Sequence, residues 1–179
     1  MKILLIRHGE TTGDLEDRYG GTYDDHLTEE GRQQLARTAQ LLKGKEIKKI
    51  YSSTLIRARE STEIISEVLS VDVEFEAGLQ ERDYGVLGGL TKEEAIEKYP
   101  EAVELHKDPA NTDPEGESQF DFIQRVTDTF TGIVERGGEQ IVILSHGGPI
   151  KVVLKHLNMP LPDRIEDGQI IEVDLNSGS

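Results

Sequence analysis

The chain has 179 residues, no cysteine and a formal net charge of −15 at pH 7. Because disulfides, thiolate metal sites and cysteine-based phosphatases all need cysteine, the composition excludes these three classes. The negative charge disfavours nucleic acid and anionic membranes as partners, since their phosphates are held mainly by Lys and Arg. An anionic substrate therefore has to be bound by a few cations gathered in one cleft.

The length is typical of one domain with its own apolar core. No internal repeat or linker is visible, so we predict a single domain over residues 1–175 and a loose tail over 176–179. The apolar run Ile3–Ile6 is too short for a signal peptide or a membrane span, which predicts a cytoplasmic protein. No feature of the sequence indicates the oligomeric state.

Short apolar runs rich in β-branched residues alternate with helical patterns along the chain. Strands are predicted at Ile3–Ile6, Ile47–Tyr51, Val71–Phe75, Ile141–Leu144 and Ile170–Leu175. Helical apolar spacing or helix caps fall within 35–44, 57–69, 91–100, 118–138 and 149–157. This alternation predicts a three-layer α/β/α sandwich around a mostly parallel central sheet.

Polar residues that suit anion chemistry follow three of these strands. Arg7-His8-Gly9 follows the first strand, Ser52-Ser53 and Arg57 follow the second, and Ser145-His146-Gly147-Gly148 follows the fourth. Ligands of parallel α/β sheets bind outside the carboxyl ends of the strands. We therefore expect these groups to share one crevice.

Two imidazoles and two guanidinium groups in one crevice favour a phosphate site over a metal site. Arg7 and Arg57 would repel a cation, whereas the fork of a guanidinium group matches phosphate oxygens. His8 and His146 also lack the spacing of zinc-binding motifs, so no metal is expected. An unprotonated imidazole can attack a phosphoryl group, which suits His8, while a protonated His146 would help the two arginines to neutralise the phosphoryl oxygens.

Five blocks along the chain resemble the phosphoglycerate-mutase-like branch of the histidine phosphatase superfamily. The hallmark is Arg7-His8-Gly9-Glu10-Thr11 after the first strand. The other blocks are Asp24 with Leu27–Gly31, Tyr51–Ala58, Leu79–Gly85 and Ser145–Gly148. A lone Arg-His-Gly sequence is weak, but five blocks in the family's order, spanning nearly the whole chain, are specific.

The resemblance implies a role for each matched residue. His8 would be the phosphorylated nucleophile, and Arg7, Arg57 and His146 would hold the phosphoryl oxygens. Glu81 matches the family's proton donor, although by itself it would be one more surface carboxylate in an acidic chain.

Five further positions have an expected or an open role. Thr11 is either a hydroxyl donor to the substrate or a helix N-cap, and Gly147 is expected to bind substrate at a helix start. Asp14 stands where the family often has Asn, and its carboxylate would oppose phosphate binding unless it turns away. His106 and Lys107 would either contact a substrate carboxylate or second phosphate, or form an exposed solvated pair.

The block Glu81–Gly85 is similar to the cofactor-dependent phosphoglycerate mutases, whereas Gly147-Gly148-Pro149, the short chain and the brief segment 101–115 are similar to hydrolytic members. A short lid admits water to a phosphohistidine, so we predict metal-independent hydrolysis of a small phosphorylated metabolite. A mutase is the alternative, and only that activity would need 2,3-bisphosphoglycerate as cofactor. A phosphate-binding module without turnover ranks third, since His8 and Glu81 are both present.

Overall fold

The structure is a computed structural model that describes residues 1–176. The strands are β1 (Lys2–Arg7), β2 (Lys49–Ser53), β3 (Asp72–Glu76), β4 (Gln140–Ser145) and β5 (Ile170–Asp174). The helices are α1 (Thr12–Leu15), α2 (Glu29–Leu42), α3 (Ile56–Leu69), α4 (Lys92–Lys98), α5 (Pro100–His106), α6 (Gln119–Glu135) and α7 (Gly147–His156). Every predicted strand is present, and each predicted helical region contains a helix.

The five strands form one sheet in the order β3-β2-β4-β1-β5. The pairs β1–β4, β2–β4 and β2–β3 are parallel, and β5 is antiparallel to β1 at one edge. The predicted mostly parallel sheet is therefore confirmed. The register pairs Arg7 with Ser145 and Ser52 with Leu144, so the carboxyl ends of β1, β4 and β2 lie side by side.

Helices cover both faces of the sheet. Ile3 and Leu5 of β1 point to the layer of α6 and α7, whereas Leu4 and Ile6 point to the layer of α2 and α3. This alternation follows from the two-residue period of a strand, and it explains why β1 is apolar at four consecutive positions. The three-layer α/β/α architecture is confirmed.

Helix starts follow the predicted capping signals. At α4, Glu94 N donates to Thr91 Oγ1 at 3.2 Å and Thr91 N donates to Glu94 Oε2 at 3.0 Å. At α6, Asp121 N donates to Ser118 Oγ at 3.0 Å. These bonds satisfy amide groups that have no partner within the helix. Pro100 ends α4 as predicted and also begins α5, because proline suits the first position of a helix.

The predicted tail begins at Asn176, which lies in a turn where its N–H donates to Asp174 Oδ1 at 2.9 Å. The rest of that segment, 177–179, lies outside the described residues. Within residues 1–176, no helix is long and apolar enough to cross a membrane.

The start of α2 packs directly on the loop after β1, at Gly31. A Cβ atom at Gly31 would lie 2.1 Å from the backbone oxygen of Glu10. We expect Gly31→Ala to lower the free energy of unfolding by about 1–3 kcal/mol, the cost of overpacking against a rigid neighbour. Urea unfolding measures this, with Gly132→Ala in α6 as the control, because space is open there and alanine favours a helix. Equal stability of the two variants would contradict the close contact.

Candidate active site

The neighbouring ends of β1 and β4 bring His8 and His146 together. Their ring centroids are 5.0 Å apart, and both side chains are buried. His8 Nδ1 lies 2.8 Å from the carbonyl oxygen of Gly9, which can only accept, so this nitrogen carries the proton and Nε2 keeps its lone pair. His146 Nε2 lies 2.8 Å from the hydroxyl of Ser53 at the end of β2. The two predicted histidines therefore share one crevice.

The guanidinium group of Arg57, in the first turn of α3, contacts both imidazoles. Its Nε lies 3.3 Å from His8 Nε2 and 3.2 Å from His146 Nδ1. Because a guanidinium N–H can only donate, both ring nitrogens act as acceptors. His8 Nε2 is therefore unprotonated, as a nucleophile must be, and its lone pair accepts from Arg57 until a substrate replaces that contact.

The other Arg57 donors hold the loop that precedes α2. Nη1 donates to Tyr23 O at 2.6 Å and to Asp25 Oδ1 at 2.9 Å, and Nη2 donates to Gly21 O at 2.7 Å. Both side chains of the Arg57–Asp25 ion pair are only 4% exposed. Arg57 is thus fixed in position before any substrate arrives.

Burial lowers the pKa of His8 well below its usual value of 6.5, and the charges of Arg57 and Arg7 lower this pKa further. Burial, followed by the charge of Arg57, likewise lowers the pKa of His146. Both imidazoles are therefore neutral at pH 7 in the free protein. The protonated His146 expected from the sequence needs a bound phosphate dianion, whose charge opposes that of the arginines.

The lowered pKa values of the two buried histidines make the fold sensitive to acid. Below about pH 6.5 the unfolded chain takes up a proton at each imidazole while the folded chain does not, so the free energy of unfolding should fall as the pH drops. We expect His8→Gln to reduce the slope of the unfolding free energy against pH by the contribution of about one proton. Urea unfolding of both proteins across this range measures the two slopes. Identical slopes would show that His8 does not cause the effect.

Arg7 ends β1 and reaches the crevice beside the segment 165–168. Its Nη1 donates to Ile165 O at 2.6 Å, and its Nη2 lies 3.2 Å from Asp167 Oδ1. Its Nε is buried and has no hydrogen-bond partner among residues 1–176. Leaving a buried donor unpaired costs about 1–3 kcal/mol. This N–H is therefore suited to an oxygen of a bound anion.

Glu81 lies beside the N-terminus of α7. Its Oε2 accepts from Gly148 N at 2.9 Å, and its Oε1 accepts from Arg82 N at 2.9 Å. A Cβ atom at position 148 would lie 2.1 Å from Glu81 Oε1, so glycine makes room for the carboxyl group. Glu81 and His8 line the same cavity. The structure thus places the predicted proton donor and the predicted nucleophile in one cavity.

Thr11 and Asp14 bond to each other at the start of α1. Thr11 Oγ1 accepts from Asp14 N at 3.1 Å and donates to Asp14 Oδ2 at 2.8 Å, and Thr11 N donates to Asp14 Oδ2 at 2.9 Å. Thr11 is therefore a helix N-cap, and one carboxylate oxygen of Asp14 is turned toward it. Both residues and Gly147 line the cavity, and substrate contacts of Thr11 and Gly147 stay predictions.

His106 lies at the cavity, whereas Lys107 does not. His106 Nδ1 lies 2.8 Å from Asp113 Oδ2, and its ring contacts two tyrosine rings. Asp113 is 3% exposed, and its other carboxyl oxygen has no hydrogen-bond partner among the described residues. Lys107 pairs with Glu104 at 2.6 Å on the exposed surface. Of these two candidates, only His106 is placed to contact a substrate.

These side chains surround a cavity of about 820 Å³. The predicted site residues in its lining are Arg7, His8, Thr11, Arg57, Glu81, His106 and Gly147. His146 lies beside His8 and is 1% exposed. Over the described part of the chain, no three His, Asp or Glu side chains are grouped so that they could hold a metal ion.

Comparison with known proteins agrees with this geometry. The model of the histidine phosphatase superfamily, branch 1, matches residues 3–176. The chain belongs to this superfamily. The resemblance drawn from the five sequence blocks is confirmed, and the fold is that of a phosphoglycerate-mutase-like histidine phosphatase.

Similar members of the superfamily include both mutases and phosphatases. The 2,3-bisphosphoglycerate-dependent phosphoglycerate mutase of Elusimicrobium minutum is 31% identical, and the match covers 97% of this chain and 82% of the mutase. Bacillus stearothermophilus YhfR is 30% identical with a TM-score of 0.89, covering 99% and 93% of the two chains. A mycobacterial glucosyl-3-phosphoglycerate phosphatase is 25% identical with a TM-score of 0.80, covering 96% and 88%.

The sequence of this superfamily member does not by itself reveal the partners that hold the site. Asp25 fixes Arg57, and Asp167 lies against Arg7. Arg82 donates to the backbone of Pro109 at 2.8 Å and of Glu117 at 2.9 Å, which ties the loop after α5 to the residue next to Glu81. Asp25 lies beside one of the sequence blocks that match the family, and Arg82 lies within another, so the blocks indicated their neighbourhood. Asp167 lies in a segment with no motif.

Proposed function

We propose that the protein is a cytoplasmic phosphatase that hydrolyses a small phosphorylated metabolite through a phosphohistidine at His8, without a metal ion. The observation that carries the proposal is the neutral His8, whose Nε2 lone pair lies in a cavity with two arginines and Glu81. This arrangement supplies a nucleophile, fixed cations and an acid. The net charge of −15 supports a small substrate over nucleic acid or a membrane surface.

In the first half-reaction, the lone pair of His8 Nε2 attacks phosphorus, and the bond between phosphorus and the ester oxygen breaks. Glu81, in its protonated form, gives its proton to the leaving oxygen. The Nε–H of Arg7 donates to one of the other phosphoryl oxygens, and the Nε–H of Arg57 moves from the two imidazoles to another, while the negative charge spreads over these oxygens. The dianion favours protonation of His146, which adds one more donor.

In the second half-reaction, water attacks the phosphorus of the phosphohistidine, and the bond between nitrogen and phosphorus breaks. The Glu81 carboxylate takes the proton from the water, so that it returns to its acid form. Phosphate leaves, and the electron pair returns to His8 Nε2. The Nδ1–H group, bonded to Gly9 O, keeps the ring in one tautomer and orientation through both steps.

Metal independence is supported by the charges around the phosphoryl position. Arg7, Arg57 and a protonated His146 already supply positive charge to the phosphoryl oxygens, which is the role that a metal ion has in other phosphoryl-transfer enzymes. The same cations would repel a metal ion placed among them.

Hydrolysis is favoured over mutase activity by the short segment 101–115 and by the sequence Gly147-Gly148-Pro149, in both of which this chain is similar to hydrolytic members of the superfamily. A short lid leaves a phosphohistidine open to attack by water. Mutase activity is the second candidate, because two relatives at 30–31% identity are phosphoglycerate mutases. A bisphosphoglycerate would fit the residues present, since Arg18 and Lys151 add two cations to the lining of the same cavity.

The test has two measurements. The first is hydrolysis of p-nitrophenyl phosphate in excess chelator. The second is quenching of the enzyme during turnover of a substrate whose phosphoryl group is labelled, so that label bound to the protein can be detected. We expect chelator-resistant phosphate release, and a protein-bound label that is stable in alkali and lost in acid, as phosphohistidine is. His26→Ala, which removes an exposed imidazole, is the control for nonspecific labelling. Loss of turnover in chelator would contradict metal independence. Transfer to phosphoglycerate in place of water would favour the mutase, and phosphate binding without turnover would favour a binding module.

Glu81→Gln tests the proton donor, because glutamine keeps an oxygen acceptor for the N–H of Gly148 but has no proton to give. We expect turnover of an alkyl phosphate to fall about a hundredfold and the shape of its pH–rate profile to change. Turnover of p-nitrophenyl phosphate should fall less, since nitrophenolate leaves without being protonated. Steady-state rates across pH for both substrates measure this. A profile that matches the wild type would rule out the role.

A further inference from the structure

The cavity extends beyond the phosphoryl site along a groove between α6 and α7, called here the α6–α7 groove. On α7 its lining residues are Gly147, Gly148, Lys151, Val152, Lys155 and His156. They recur every three to four residues and so form one helix face, while Ile150, Val153 and Leu154 face the core. On α6 the lining residues are Gln119, Phe122, Ile123 and Thr127.

The groove is long enough to hold a second ring or chain beyond the phosphate. Gly148, which contacts Glu81, and Lys155 are seven residues apart on α7, a distance of about 10 Å along the helix axis. The phosphoryl site and Glu81 lie at one end of this stretch of α7, and Lys155 lies at the other end. A three-carbon alcohol would leave most of the groove empty.

The middle of the α6–α7 groove is apolar. Phe122, Ile123 and Val152 form its helical walls, and Leu161 and Ile165 line it from the segment after α7. Leu161 is 50% exposed, so part of this apolar lining faces water. An aromatic or aliphatic body placed between these residues would remove their apolar surface from water.

The far end of the groove is cationic. Lys151, Lys155 and Arg164 line it together with one carboxylate, Asp163, in a chain whose net charge is −15. Lys151 Nζ donates to Asp163 O at 2.8 Å, and Arg164 pairs with Glu166 at 3.1 Å. The ammonium group of Lys155 has no hydrogen bond or ion pair within residues 1–176. Local cations in an acidic protein indicate an acidic group on the ligand.

We infer that the alcohol part of the substrate is elongated, with an apolar or aromatic body in the α6–α7 groove and an acidic group, a carboxylate or a second phosphate, at Lys155. This inference rests on the proposed function for the position of the phosphoryl group at His8. It adds the chemical class of the leaving group, which the phosphoryl site alone does not determine.

A substrate series tests the inference. The series compares phenyl phosphate, biphenyl-4-yl phosphate, 4′-(phosphonooxy)biphenyl-4-carboxylate and biphenyl-4,4′-diyl bisphosphate by kcat/KM. We expect about a tenfold rise on adding the second ring, the size of burying one aromatic ring, and about a further fivefold rise on adding the distal acid. The better of the two distal acids identifies the acidic group. Equal kcat/KM across the series would overturn the inference while leaving the proposed function intact.

Variants locate the effect in the groove. Lys155→Gln should remove the fivefold advantage of the distal acid and leave phenyl phosphate unchanged, and Lys43→Gln, at an exposed lysine at the end of α2, should change neither. Val152→Trp should fill the groove, removing the tenfold advantage of the second ring. Loss of phenyl phosphate turnover in Lys155→Gln would overturn the assignment.

Binding of the product alcohol, 4′-hydroxybiphenyl-4-carboxylate, measured by calorimetry, does not depend on turnover. We expect its Kd to rise about fivefold in Lys155→Gln. If the Kd rises in this way but the wild type hydrolyses none of the phosphates, the groove is supported as a binding site and the proposed function is rejected. No detectable binding by the wild type, or equal affinity in both proteins, would reject the groove.

Discussion

Replacing His8 with alanine is expected to reduce phosphate release from p-nitrophenyl phosphate by at least about a thousandfold, as the removal of a covalent nucleophile generally does. The variant should still fold, because Arg57 keeps its bonds to His146, Asp25 and the loop carbonyls. Affinity for inorganic phosphate should fall much less, since both arginines remain. Single-turnover kinetics and phosphate binding by calorimetry measure the two effects separately.

The space left in His8→Ala provides a further check. Free imidazole can enter that space and act as an external nucleophile, so added imidazole should restore part of the turnover. It should give no increase in the wild type or in a Glu81→Gln variant. Turnover of His8→Ala within tenfold of the wild type, at matched folding, would show that His8 is not the nucleophile.

Replacing Arg57 with alanine is expected to have the largest effect on stability, a loss of about 3–5 kcal/mol, because it leaves the buried Asp25 carboxylate without its partner. The same change should lower kcat/KM by about a hundredfold or more, since a donor to the phosphoryl oxygens is lost. Chemical unfolding and steady-state kinetics measure the two effects. Arg59→Ala, at an exposed position two residues later in α3, is the control and should leave kcat/KM unchanged.

A double substitution separates the two roles of Arg57. In Arg57→Ala with Asp25→Ala, no buried charge is left unpaired, so most of the lost stability should return. Activity should not return, because the donor is still absent. A double variant no more stable than Arg57→Ala would show that the destabilisation does not come from the unpaired carboxylate.

The sheet could be predicted from the sequence because its strands are buried on both faces. Ile3–Ile6 and Ile141–Leu144 are continuous β-branched and apolar runs, and continuous apolar character is what a parallel strand between two helical layers requires. The order of the strands, and the antiparallel direction of β5, were not predicted. Both depend on contacts between residues far apart in the chain, which local patterns do not encode.

The site could be predicted only where its residues follow strand ends or lie in a matched block. His8 and His146 come together because β1 and β4 are neighbours in the sheet. The neutral state of His146 could not be predicted, because it follows from burial and from the position of Arg57. The ion pair of Asp167 with Arg7 forms between the end of β1 and the residues just before β5. These residues are far apart in the sequence, and no spacing in the sequence indicates that they meet.

The phosphoryl site and the α6–α7 groove belong to different parts of the chain. His8, Arg57 and His146 lie at strand ends and at the start of α3, whereas the groove lies on α6, along α7 and on the segment 161–165. Mutations in these outer parts can accumulate during evolution without disturbing the reacting atoms. Lineages that inherit one phosphoryl-transfer apparatus can thus diverge in the alcohols they release.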